Sequence, residues 1–85
     1  MQLLSREMRG IPYFLLKEYL LELGGALLAD DLVAGAGWRV RLTKMEPYKL
    51  HSLQVGQTLL EMELEDQVAE DFLQRFATKT LRAGA

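Results

Sequence analysis

Three glutamates at alternate positions, Glu61, Glu63 and Glu65, are the first groups in this chain whose type and spacing could do chemistry. Alternate residues of a β-strand share a face and lie ~7 Å apart at Cα, so two such carboxylates can approach one cation or divide acid and base roles. Both uses need the pair to be partly dry. The plainer reading is a solvated sheet face on which arginines balance the acids. Asp30-Asp31 is a second acidic pair, but neighbours on a strand point to opposite faces, and a turn is the plainer role. His51 is the single histidine, and the chain has no cysteine, so a structural zinc site has no ligand set to draw on. A Ser–His hydrolase would need Ser5 or a threonine from elsewhere, since Ser52 faces away from His51 on a strand and no G-x-S-x-G elbow is present. A surface or hairpin histidine is the plainer reading. Gly35 and Gly37 form a G-x-G, but a strand pattern follows and the third glycine of a dinucleotide site is missing, so they read as a turn. The residues thus assign no catalytic, metal or cofactor site. An enzyme would have to rest on Glu61, Glu63 and His51 meeting in one cleft.

The elements that must carry these groups are legible in the hydrophobic pattern. Trp38, Val40 and Leu42 alternate with Arg39, Arg41 and Thr43, and Leu60, Met62 and Leu64 alternate with Glu61, Glu63 and Glu65. A period of two sends each set to one face of a sheet. If these two strands are neighbours, the arginines can sit opposite the glutamates. Two helical patterns can cover the apolar face. In the first, at 12–23, Tyr13, Leu16, Leu20 and Leu23 form a stripe, Pro12 suits the start, and Gly24 suits the left-handed cap. In the second, at 66–80, Val68, Ala69, Phe72, Leu73, Phe76 and Ala77 face inward behind an Asp66 cap. Before, between and after them come residues 2–9 as a first strand or arm, a short strand at 26–31 that 32–35 continues or turns, a strand from Trp38 to Met45, a turn or bulge at Glu46-Pro47, an extended piece from Tyr48 to Val55, a hairpin turn at Gly56-Gln57, a last strand from Thr58 to Glu65, and a frayed tail at 83–85. The expected architecture is α+β: an antiparallel sheet of four to five strands, two helices on one face, in the order β-α-β(3-4)-α.

Length and composition bound the rest. Eighty-five residues make a single domain, 1–85, with no repeat and no low-complexity linker. Net charge is −2 and the charges are mixed, so no basic block drives nucleic-acid binding. No apolar run approaches the ~20 residues of a membrane span, and the first ten residues make no signal peptide, so a cytoplasmic location is expected. Hydrophobic residues make up 49 %, a high share for so short a chain to bury, which favours a protein partner or self-association. Phe14 at the edge of its helical stripe, Tyr48 behind Pro47 and Trp38 are the aromatics that could rim such an interface. A small ligand held between sheet and helices is the alternative.

The helix PYFLLKEYLLELGG from Pro12 to Gly25, the segment with Glu46-Pro47, Lys49 and Ser52-Leu53, and the last helix with Ala69-Glu70, Phe72 and Arg75-Phe76-Ala77 resemble a small family of bacterial domains from thermophiles. That family is met as the C-terminal domain of a protein related to the small subunit of molybdopterin synthase (MoaD-related), where it follows a β-grasp sulfur-carrier domain. The resemblance covers about Arg9 to the C-terminus. It implies an α+β fold of order β-α-β(4)-α, similar in outline to half of a TATA-binding protein. The chain has no β-grasp domain of its own and ends in Gly84-Ala85 where a carrier presents Gly-Gly. The expected role is therefore a non-catalytic accessory or interaction domain, linked to sulfur-carrier and molybdopterin chemistry by the resemblance alone.

Overall fold

The computed structural model describes the backbone of residues 1–84 and the side chains of residues 1–81. The elements run β1 (Gln2–Arg9), α1 (Tyr13–Glu22), β2 (Ala26–Ala29), β3 (Leu32–Gly35), β4 (Trp38–Leu50), β5 (Leu53–Leu64) and α2 (Asp66–Gly84). The five strands form one sheet in the order β1-β5-β4-β3-β2, with every neighbouring pair antiparallel. This is the expected α+β order, with four strands between the helices.

β1 and β2 are the two edges of the sheet, so the chain must cross its whole width between them, and α1 is the crossing element. Pro12 starts the helix: its carbonyl accepts from the amides of Leu15 and Leu16, and its missing N–H is one that no helical carbonyl would have met. The helix stops in a Schellman motif. Gly24, at φ 99°, donates to the Leu21 carbonyl, and Gly25 donates to the Leu20 carbonyl. Leu16 and Leu20 are buried on its inner side, and Leu23 lies just beyond them.

The alternation in β4 and β5 sorts as its period requires. Trp38, Val40, Leu42, Leu60, Met62 and Leu64 point to one side and are buried with Val33, Leu16, Leu20, Ala69, Phe72 and Phe76. Both helices therefore cover the same face, and the opposite face is left uncovered. Asp30 and Asp31 form the β2–β3 turn, so 32–35 reverses the short strand before it.

Three local expectations are corrected. Tyr48 to Val55 is not a separate strand: β4 continues through Pro47 on a bulge between Met45 and Tyr48 and reverses at His51-Ser52, and Gly56-Gln57 lies within β5. A bulge absorbs a proline without ending the strand, because the extra residue is already outside the ladder. The Gly56 carbonyl accepts the Gly10 amide at 3.0 Å. Secondly, Asp66 is the first helical residue of α2, and the Glu65 carbonyl before it accepts the amides of Val68 and Ala69. Finally, the helix continues through Ala83 and Gly84, which were expected in a tail; Ala85 lies outside the described residues.

Past Arg9↔Gln57 and Leu32↔Arg41, no third strand flanks β4 and β5, which project as a bare ribbon from Glu46 to Gly56. The accessible surface is 5659 Å², above the ~5,000 Å² expected for this mass, and the longest dimension is 43 Å against 26 and 21 Å for the others. At the ribbon tip His51 sits at φ 57°, a conformation that costs a residue with a Cβ roughly 1–2 kcal/mol. Replacing His51 with glycine is expected to stabilise the chain by up to about 1 kcal/mol, read as a rise in melting temperature. A fall would mean that the imidazole makes a compensating contact.

Candidate functional site

The uncovered face of the sheet collects the charged residues singled out by their spacing. Register places Arg39 opposite Glu63 and Arg41 opposite Glu61, as the alternation predicts for neighbouring strands. The Arg39 and Glu63 side chains meet at 3.9 Å. Arg41 turns instead to Asp31, donating from Nη1 to Oδ2 at 3.0 Å. The β2–β3 turn brings that aspartate in from the side, which strand alternation cannot reveal. All of these side chains are about half exposed, so each pair is worth only ~0.2–1 kcal/mol. Their effect is to fix where charge sits on the face.

Glu65 lies one residue past β5, where its amide donates to the Gly37 carbonyl at 2.8 Å and carries the pairing one step beyond Trp38↔Leu64, and it lines a shallow groove with Arg39 and Glu63. His51 lies at the far end of the ribbon. It is eight or more strand residues from Glu61, about 26 Å at the usual rise, so the structure does not bring His51, Glu61 and Glu63 into one cleft. Among the described residues, no three acidic or histidine side chains are grouped as metal ligands.

Of the three aromatics expected at an interface, the structure brings none together. Trp38 is a correction: at 8 % exposure it is core, its ring centroid 4.7 Å from that of Phe72. A strand that begins with an inward position buries whatever stands there, and the indole is large enough to reach α2. Phe14 is 68 % exposed but belongs to the helical layer. Tyr48 is 39 % exposed and lies on the uncovered side, where the Arg9 guanidinium stacks 4.2 Å above its ring. Arg9 is held there by a 2.8 Å bond from Nε to Oε1 of Gln57. The sheet thus separates Phe14 from Tyr48.

Residues that spacing did not single out extend the uncovered face. Leu3, on edge strand β1 beside Glu63, is 73 % exposed. Leu32 lies beside Arg41. With Ser5 and the charged pairs these two line a shallow groove of about 490 Å³. Tyr48 pairs with Val55 and Leu50 with Leu53, giving the ribbon an exposed apolar tip. The signal for Leu3 was present in the period of β1; that for Leu50 and Leu53 was hidden by placing the turn at Gly56. The pocket expected between sheet and helices is occupied by core: Leu16, Leu20, Leu42, Leu60 and Phe76 are at or near zero exposure. A second groove instead opens at the edge, where Gly10 to Tyr13 face Pro47 and Val55. Tyr13 lies there with its hydroxyl donating to the Asp30 carbonyl at 3.3 Å, and burial, then Asp31 and Asp30, raise its pKa above the ordinary phenol value. Raised in the folded state, it stabilises the fold through neutral pH, and that contribution is lost as pH climbs through the raised value.

No helix of the described residues is long and apolar enough to cross a membrane. None of the curated proteins compared with the chain matches it. A family model described as archaeal MoaD-like protein matches residues 4–85.

Proposed function

The chain belongs to the archaeal MoaD-like protein family, and on that premise we propose that it is a non-catalytic interaction domain that works beside a sulfur carrier in molybdopterin biosynthesis. The observation that carries this reading is the asymmetry of the sheet. One face is sealed by both helices, while the other, five strands wide, carries ion pairs flanked by Leu3, Leu32 and the Tyr48–Leu53 tip, and no helix of the described residues covers it. Surface of this mixed kind, apolar positions interleaved with ordered arginines, suits a protein partner better than an enclosed ligand. The separation of His51 from Glu61 and Glu63 supports a role in binding over one in bond chemistry.

A tagged form of the chain, used as bait in a lysate of its source with a matched control, tests the reading by mass spectrometry. Reproducible recovery of a sulfur carrier or a molybdopterin synthase subunit is the expected result. Recovery of neither, with purified carrier and chain showing no heat of binding at about 100 μM of each, would remove the link to that chemistry.

A further inference from the structure

We infer that the uncovered face docks a second copy of this chain, face to face, about a two-fold axis that lies between β4 and β5 and runs parallel to them. The inference rests on the reading of that face as an interaction surface and names one occupant of it. Its basis is the charge layout. The face presents Arg9, Arg39 and Arg41 interleaved with Glu7, Glu61 and Glu63, with Asp31 and Glu65 at its rim, so it offers no block of one sign to a purely acidic or purely basic partner. A matching surface must carry both signs in alternate rows, and the chain itself has that surface.

The register makes the match specific. An axis between β4 and β5 lays β4 of one copy over β5 of the other at the same height along the strands. Because Arg39 is level with Glu63 and Arg41 with Glu61, each arginine of one copy then stands over a glutamate of its partner. The same operation lays Leu50 over Leu53 and Tyr48, under its Arg9 guanidinium, over Val55, and brings Leu3 of β1 over Ala34 of β3, since both are level with the Arg39–Glu63 pair. Apolar thus meets apolar at Leu3 and at the Leu50–Leu53 tip, while acid meets base between them. An isologous contact of this kind closes at two copies.

At ~3.3 Å per residue and ~4.8 Å between strands, β4 and β5 with β1 and β3 offer about 600 Å² per copy. That is near ~1,200 Å² in total, the lower end for stable association, and the inclination of packed sheets by ~30° reduces it further. The contact therefore lies at the small end of specific interfaces.

Sedimentation analysis across a concentration series tests this with two variants, Arg39→Glu/Arg41→Glu and Glu61→Arg/Glu63→Arg. The wild-type chain is expected to dimerise. Each variant alone puts like charges on both facing surfaces and is expected to raise Kd at least about tenfold. An equimolar mixture of the two restores opposite charges and is expected to form a heterodimer. Circular dichroism checks that both remain folded. Leu3→Arg, at an exposed position that unfolding cannot confuse, is expected to weaken the dimer as well. A wild-type chain that stays monomeric to about 1 mM overturns the inference and leaves capture of a sulfur carrier untouched. A dimer indifferent to all three changes overturns it too, by placing the contact elsewhere.

Discussion

Leu20→Asp is expected to leave the chain unfolded at room temperature. Leu20 has no exposed surface, and its backbone carbonyl holds the Gly25 amide in the cap that ends α1. Removing the isobutyl group alone costs about 2–5 kcal/mol at a site of this kind. Seating a carboxyl group among Leu16, Val33 and Phe76 adds several kcal/mol more, whether the group stays charged without a partner or takes up a proton to stay neutral. A chain of this length has roughly 4–13 kcal/mol of total stability, so the sum consumes most or all of it. Far-ultraviolet circular dichroism should report loss of the cooperative melt. Leu28→Asp, at an exposed edge-strand position, is the control and should stay within about 0.5 kcal/mol of wild type. A Leu20→Asp variant that melts beside that control would show that α1 is held by something other than its apolar stripe.

That stripe was legible because its physics is local. Leu16, Leu20 and Leu23 repeat at helical spacing between a proline and a glycine pair, and each feature acts within one turn of chain. That Arg39 and Arg41 can sit opposite glutamates was legible for a related reason, since the opposite charges stand on one parity of two neighbouring strands; that the partners are Glu63 and Glu61, and not Glu65 and Glu63, is set by the pairing itself. What escaped was non-local. The glycine at 56 resembles a turn residue, but it serves in the strand, as the acceptor of a bond from Gly10 on the neighbouring connection. The true turn falls on His51, a residue that rarely adopts positive φ, and is fixed by the register of the strands on either side. Trp38 has the same composition whether it rims a surface or fills a core. Only the approach of α2, through Phe72, decides between them.

Trp38 also explains two glycines, and Gly35→Ala is the sharper test of the core. Gly35 lies directly across the β3–β4 ladder from Trp38, in ordinary backbone geometry, so its lack of a side chain is a matter of space. A methyl group there would stand 2.4 Å from Cε2 of the indole and 2.6 Å from Cζ2 and Nε1. The ring is hemmed in: Gly25 lies so close that a methyl there would stand 2.6 Å from Cη2, and the Phe72 ring packs against it, tilted, with centroids 4.7 Å apart. Overpacking of this kind costs about 1–3 kcal/mol. For a chain of this size each kcal/mol lowers the melting temperature by roughly 4–8 °C, so a fall of several degrees or more is expected for Gly35→Ala. Trp38→Phe alone should destabilise as well, because it trims the indole and leaves a cavity. Combined, the two changes relieve each other: the methyl enters part of the space that the trimmed ring vacates. The double variant should therefore be more stable than the sum of the single effects by about 1 kcal/mol, measured by thermal or denaturant melts of all four proteins. Simple additivity, within about 0.3–0.5 kcal/mol, would mean that the strain at Gly35 is absorbed by the backbone of β3 and that the indole does not set the spacing between sheet and helix.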